Sequence, residues 1–362
     1  LALEQQALAI MKANGSGESS NAVDVRGNIG NVLVRLGRYD EAVELFRETI
    51  ALSKKVDGEL APNTAIRISN YGLVLVRQGK LAEAVAVFED AIERGRKIWP
   101  EDYDEEAFMT GSKAAALKRL GRMDESLAAY QEAAGMTERT RGKESLTYVA
   151  RMRGLGSVLM DMACYEEAEA VFTDALATAQ ALAGEDSRLA MQLQIFLGQL
   201  AVDRGNFAEA QRYFERVKNS NESQGATVDA IIDKELGIAL SEQGLYAEAE
   251  PLLLKSFEQQ QALQGIDSSS QLPNLAALAG HYRRQGDIES ALGYTERIRD
   301  LTAEDPKPLT WAGAMALAEA GHVFRAAGHS DATPAYRSAY AELERVFGPD
   351  DPRVKALAEF SE

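Results

Sequence analysis

The sequence predicts an all-α protein, a solenoid of antiparallel helix pairs, and three observations support this prediction. A short segment recurs along nearly the whole chain at an almost constant spacing. Each copy of it separates two stretches in which apolar residues recur with the period of an α-helix. Ala, Leu and Glu are plentiful among the 362 residues and Pro is scarce, at 9 residues, which favours helix over sheet. A single hydrophobic core rarely grows to this length, so a repeat array is expected.

The recurring segment is clearest in its first three copies, at residues 36–42, 78–84 and 120–126. One position in each copy serves as its anchor, and successive anchors lie 42 residues apart, with one spacing of 39. The anchors are Gly37, Gly79, Gly121, Ala163, Gly205, Gly244, Gly286 and Gly328. Because chance does not produce such a spacing, we expect eight helix pairs, with about seventeen or eighteen helices in one stack.

The second copy shows how each unit is read. Asn63 is expected to cap the start of the first helix. Gly79 ends that helix, because a residue without a Cβ adopts the left-handed conformation at least cost. The second helix carries Ala84 and Phe88 on its apolar stripe.

Small and large residues alternate in the same way from copy to copy. Five copies carry an aromatic residue nine positions after the anchor, and all eight carry a small residue seven positions before it. The aromatic residues are Phe46, Phe88, Tyr130, Phe172 and Phe214. The small residues are Gly30, Gly72, Ala114, Gly156, Gly198, Gly237, Ala279 and Gly321. We expect the small residues to let two helices approach closely while the aromatic ring fills the gap beside them.

This pattern resembles the tetratricopeptide repeat, and the fourth copy shows the motif as Leu155, Gly156, Leu159, Ala168, Phe172 and Ala175. The usual repeat is about 34 residues long, so the longer period resembles that of kinesin light chains and their bacterial relatives. HEAT and armadillo repeats have a similar period but lack this alternation of Gly, Ala and Phe. The resemblance implies a right-handed superhelix in which the first helix of each pair lines a concave groove.

The two ends of the chain differ from the repeats. Residues 1–13 are expected to form the second helix of a truncated repeat, followed by eight helix pairs over residues 14–348. Residues 349–362 are expected to form a capping helix that closes the stack. Because the start lacks the polar cap usual for a solenoid end, the chain is expected to be a fragment of a longer protein.

Composition and motifs argue against several classes of function. The net charge of −17 argues against a nucleic-acid partner, which requires a basic surface. No apolar run reaches the roughly 20 residues needed to span a bilayer, so no membrane insertion is predicted. Cys164 is the only cysteine, which fits a reducing compartment, and we expect a cytoplasmic protein. Neither the three histidines nor Cys164 lies in a catalytic or metal-binding pattern, so we expect no enzyme activity, metal or cofactor.

The groove positions implied by the resemblance carry distinctive polar residues. Arg35, Arg77 and Arg119 lie at one repeat position in three successive copies and would stack as a ladder. Related grooves use asparagines to pair with the backbone of an extended peptide, a role that Asn28, Asn31 and Asn70 match here. The predicted peptide-binding residues are Asn28, Asn31, Arg35, Asn70, Arg77, Lys118, Arg119 and Arg153. The middle copies reverse the sign with Asp161, Asp203, Glu235 and Glu242, and the last copies return to Arg283, Arg284, His322 and Arg325.

The sequence therefore predicts a non-catalytic scaffold that binds a protein or an extended peptide carrying acidic side chains. An alternative reading is that the chain is the C-terminal docking region of a larger bacterial signalling enzyme, such as a serine/threonine protein kinase. A second alternative, that the ladder arginines are simply solvated, also remains open at this stage.

Overall fold

The computed structural model describes residues 1–99, 103–220, 225–264, 269–303 and 309–361. These residues form eighteen α-helices and no β-strand, which confirms the predicted fold class. The first nine helices are α1 Ala2–Ala13, α2 Ser20–Arg35, α3 Tyr39–Val56, α4 Pro62–Arg77, α5 Leu81–Ile98, α6 Asp104–Arg119, α7 Met123–Arg141, α8 Leu146–Asp161 and α9 Tyr165–Ala183. The others are α10 Arg188–Asp203, α11 Phe207–Lys218, α12 Ala226–Glu242, α13 Tyr246–Gln264, α14 Leu272–Gln285, α15 Ile288–Ala303, α16 Trp311–Ala326, α17 Ala332–Phe347 and α18 Pro352–Ser361.

The chain divides into two compact units, unit 1 at Leu1–Gly154 and unit 2 at Leu155–Glu362, and the division falls within α8. In both units the helices pack as consecutive pairs, such as α4 with α5 and α12 with α13. The first helices of neighbouring pairs also contact one another, α4 with α6 in unit 1 and α12 with α14 in unit 2. We call the surface lined by these first helices the inner side of each unit.

The turns between paired helices follow the expected glycine rule. Gly37, Gly79 and Gly121 have φ angles between 72° and 77°, in the left-handed region. The fourth anchor is Ala163, which adopts the same conformation with φ of 57°. The N-cap prediction for the second copy was wrong, because α4 begins at Pro62 and Ala61 is its N-cap. Pro62 supplies the first helical position, where its missing N–H removes no hydrogen bond.

The alternation of small and large residues is a packing code. A Cβ on Gly72 would lie 2.8 Å from Cε1 of Phe88, and one on Gly156 would lie 2.5 Å from Cε1 of Phe172. Both rings are fully buried, so the first helix can approach the second only where a side chain is absent. The same contact joins Gly30 to Phe46, Gly198 to Phe214, Gly237 to Leu253 and Gly321 to Tyr336.

The two ends of the chain are also helical. Helix α1 contacts α2, and α18 packs on α17. That these helices are a truncated repeat and a cap stays a prediction. Within the described residues, none of the helices combines the length and the apolar character required to cross a membrane.

Candidate functional site

Two of the three ladder arginines lie together on the inner side of unit 1. The Nη1 group of Arg119 on α6 donates a hydrogen bond of 2.8 Å to the carbonyl oxygen of Val76 on α4. Partial burial of this guanidinium and the nearby charge of Arg77 lower the pKa of Arg119. Arg35 is exposed on α2, and within the described part of the chain it forms no hydrogen bond or ion pair. The structure therefore brings the charges of Arg77 and Arg119 close together.

The predicted asparagines are accessible. Asn28 and Asn31 are exposed on α2, and Asn70 is half-buried on α4. Their amide groups form no side-chain hydrogen bond to any residue that the structure describes, so their donors and acceptors are available to a ligand. Lys118 and Arg153 are half-buried, and each makes contacts within the chain.

Three of the four acidic residues predicted in the middle copies lie close together in unit 2. Asp161 and Asp203 are the last residues of α8 and α10, and Glu235 lies on α12. Glu235 accepts a hydrogen bond of 3.1 Å from Gln199. Burial, together with the charges of Glu235 and Asp161, raises the pKa of Asp203 to about 7. Its side chain is nevertheless open to water, and solvent screening moderates this shift.

Each of the charged residues predicted in the last copies contacts a partner within unit 2. Arg283 Nε lies 2.7 Å from Glu319 Oε1, and Arg284 pairs with Glu242. His322 Nδ1 lies 2.8 Å from the hydroxyl of Tyr336. Arg325 lies over the ring of Phe360, 4.4 Å from its centroid. These side chains already have partners within unit 2, unlike the asparagines and Arg35 of unit 1.

Cys164 and His281 lie in environments that suppress their reactivity. Burial and the charges of Glu167 and Glu166 raise the pKa of the Cys164 thiol, which disfavours the nucleophilic thiolate. His281 is fully buried, its Nδ1 lies 3.1 Å from Ser241 Oγ, and burial lowers its pKa. The residues that the structure describes include no group of three or more His, Cys, Asp or Glu side chains that could hold a metal ion.

One residue whose charge acts on Asp203 was missed by sequence reasoning. Arg353, at the start of α18, donates a hydrogen bond of 2.6 Å to the carbonyl oxygen of Asp161. No repeat position marks it, since it follows the last copy, and its partner lies 192 residues away in sequence. Only the folded arrangement of unit 2 brings the two together.

A model of the tetratricopeptide repeat matches residues 20–97, 148–222 and 229–304, and a second model of that repeat matches residues 72–140. The three ranges of the first model cover more than half of the chain. No curated protein matches the sequence.

Several solved structures resemble the chain. A Rap protein complexed with Competence and Sporulation Factor is 17% identical, with a TM-score of 0.59, covering 94% of this chain and 99% of that one. The Rap conjugation gene regulator of the plasmid pLS20, in complex with the Phr* peptide, is 14% identical, with a TM-score of 0.60 and coverage of 94% and 98%. BtubC (BKLC) from P. vanneervenii is 21% identical, with a TM-score of 0.49 and coverage of 64% and 91%. At these identities the first two likenesses show the fold alone.

Proposed function

The chain belongs to the tetratricopeptide repeat family, and from that premise we propose that it is a non-catalytic scaffold whose unit 1 binds an extended, acidic peptide on its inner side. The observation that carries this proposal is the unused binding capacity of that surface. Asn28, Asn31 and Arg35 are exposed on α2, the first helix of its pair, and form no side-chain hydrogen bond to the rest of the described chain.

The charge of this surface supports an acidic ligand. Arg35, Arg77 and Arg119 are positively charged and exposed in a protein whose net charge is −17. An acidic segment would gain from pairing with them and would be repelled by most of the remaining surface, which favours binding at one place.

The asparagines add a way to hold the peptide backbone. Each amide offers both a donor and an acceptor, so Asn28, Asn31 and Asn70 can pair with the N–H and C=O groups of an extended chain. The first two solved structures described above hold, by their own descriptions, a peptide and a factor, and both share this fold. Peptide binding by the same fold is consistent with the proposal for this chain.

The proposal is tested first by selecting ligands from a displayed library of random twelve-residue peptides. We expect the selected sequences to be enriched in Asp and Glu. Nonspecific attraction to a protein of net charge −17 would enrich Lys and Arg instead, so the direction of enrichment separates the two causes. Selection of basic peptides, or of none, would refute the proposed ligand chemistry.

A selected peptide is then measured by fluorescence anisotropy against a triple variant with Arg35→Glu, Arg77→Glu and Arg119→Glu. Exposed charge pairs contribute about 0.2–1 kcal/mol each, so three reversals should weaken binding about tenfold or more. Added salt should weaken binding to the wild type, because it screens exposed charges.

The matched control reverses three exposed lysines elsewhere on unit 1, Lys55, Lys97 and Lys143, whose side chains are 67%, 55% and 65% exposed. It changes the net charge by the same amount and should keep wild-type affinity. Equal losses in the two triple variants would show that net charge, and not the inner side, governs binding.

A further inference from the structure

One arginine of unit 1 lies between two first helices without a carboxylate partner. Arg151 extends from α8 to α6, where its guanidinium lies over the ring of Phe108, 5.7 Å from the centroid. A Cβ on Gly111 of α6 would lie 3.1 Å from Nη1 of Arg151, so the guanidinium rests where α6 lacks a side chain. Arg151 forms no hydrogen bond or ion pair with any residue that the structure describes, and its buried Nε has no partner.

The nearby carboxylate of Asp104 does not serve as that partner. Its Oδ1 accepts a hydrogen bond of 2.8 Å from Thr140 Oγ1, and its Oδ2 pairs with Arg141. Burial lowers the pKa of Arg151, although the charge of Asp104 opposes this change. A guanidinium that is partly removed from water without a partner is costly, so the site would gain from a carboxylate that the described chain does not provide.

A second arginine of unit 1 shows such a partner in place. Arg67 lies twelve residues before its anchor Gly79, as Arg151 lies twelve residues before Ala163. The Nη2 group of Arg67 pairs with Asp24 on α2, and the two side chains are 9% and 59% exposed. The carboxylate therefore lies on the water side of a buried guanidinium.

The equivalent of Asp24 beside Arg151 is a phenylalanine. Asp24 and Arg67 are 43 residues apart, and the residue 43 positions before Arg151 is Phe108. Nε is buried without a partner in both arginines, so the two sites differ at the terminal nitrogens, which only Arg67 uses within the described chain. An aromatic ring that is 43% exposed thus takes the place of the built-in carboxylate.

We propose that Arg151 and Phe108 form a carboxylate-binding subsite of unit 1. The guanidinium binds a carboxylate of the ligand, and the ring packs against an adjacent apolar side chain, which removes exposed apolar surface from water. The subsite rests on the acidic peptide proposed above and defines it further, as a peptide with an apolar residue beside an acidic one. The pair of Arg67 with Asp24 identifies the occupant, because it shows which group an arginine at this repeat position binds.

The subsite is tested by repeating the peptide selection described above with the variant Arg151→Gln. We expect the wild type to select sequences in which Phe, Leu or Met lies beside an acidic residue. The variant should lose this combination and keep the general enrichment in Asp and Glu. If the variant keeps the combination, the subsite alone is refuted, whereas a wild type that selects no acidic residues would refute the proposed function as well.

A selected peptide with this combination then measures the effect by fluorescence anisotropy. Because hydrogen bonds to charged groups are stronger than those between neutral groups, Arg151→Gln should weaken binding about tenfold or more. The matched control Arg122→Gln removes the same charge from unit 1, where Arg122 is 45% exposed and pairs with Glu125, and should bind as the wild type does. Equal affinities of the two variants would overturn the proposal.

The same peptide with a C-terminal amide separates the two sources of the carboxylate. Unchanged affinity assigns the bound group to an Asp or Glu side chain, and a loss as large as that of Arg151→Gln assigns it to the C-terminus.

A stability measurement tests the geometry without any ligand. Phe108→Asp should recreate between α6 and α8 the pair that Arg67 forms with Asp24, whereas Phe108→Asn has nearly the same shape but no charge. We expect a higher denaturant midpoint of unfolding for Phe108→Asp than for Phe108→Asn, and a smaller difference when both also carry Arg151→Gln. An equal difference with and without Arg151 would show that a carboxylate at this position does not reach the guanidinium.

Discussion

Replacing Gly72 with Ala should destabilise the protein, although the same change usually stabilises a helix. Ala in a helix interior is favoured over Gly by roughly 0.5–1 kcal/mol. Here, however, the added Cβ would lie 2.8 Å from Cε1 and 3.0 Å from Cζ of Phe88, whose ring is fully buried. Overpacking of this kind costs roughly 1–3 kcal/mol, so we expect a net loss of about 1 kcal/mol.

The sign of the effect should reverse when the ring is removed. Phe88→Ala alone should cost roughly 3–5 kcal/mol through the cavity that it leaves. In that background Gly72→Ala no longer meets the ring and should stabilise by roughly 0.5–1 kcal/mol. The two changes should therefore be coupled by about 2 kcal/mol, within the range for residues in contact.

Denaturant unfolding followed by circular dichroism measures all four proteins of this cycle. The control is Gly27→Ala in α2, where an added Cβ would have no atom within 4 Å and should stabilise by the helix-propensity gain alone. If Gly72→Ala raises the unfolding midpoint of the wild type as Gly27→Ala does, the close approach of helix and ring is not what selects glycine at this position.

Two further predictions concern unit 2. Ala163 has a φ of 57°, a conformation that costs an L-residue roughly 1–2 kcal/mol. Glycine avoids this cost but loses more entropy on folding, so Ala163→Gly should stabilise the protein by about 0.5–1 kcal/mol. An unchanged or lower denaturant midpoint of unfolding would contradict this prediction. Asp203 has a pKa raised from 3.8 to about 7, so the folded state favours the protonated form, and the fold loses stability as pH rises from the unfolded pKa of 3.8 to the folded pKa of about 7. Asp203→Asn should therefore stabilise by about 1 kcal/mol at pH 8, after discounting for solvent screening, with the gain shrinking toward pH 5. An equal gain at both pH values would exclude ionisation as the cause.

Much of the fold follows from the sequence because each repeat is built by the same contacts between residues of one copy. The approach of Gly72 to Phe88 and the left-handed turn at Gly79 depend on residues within one copy, and their recurrence makes them visible without a structure. The sequence predicted the wrong N-cap for α4, and the cause also lies in neighbouring residues. Asn63 is the better capping side chain, but Pro62 already fixes the helical φ one residue earlier, and the helix therefore starts at Pro62.

The candidate site was only partly visible in the sequence. The repeat spacing aligned Arg35, Arg77 and Arg119, but it could not show that Arg119 reaches the Val76 carbonyl while Arg35 forms no hydrogen bond or ion pair within the described chain. These differences depend on how far each side chain extends and on which neighbour it meets, which a repeat position does not specify.

The sequence by itself determined the period, the helix pairs and the small-to-large packing that holds each pair together, since these arise from contacts between residues close along the chain. Only the tertiary structure decided which inner-side charges are paired, as Arg283 is with Glu319, and that Arg353 meets Asp161. The physical reason is that each repeat adds a small rotation and translation to the one before it. The distance between residues several repeats apart is the sum of those increments, and no local pattern encodes that sum.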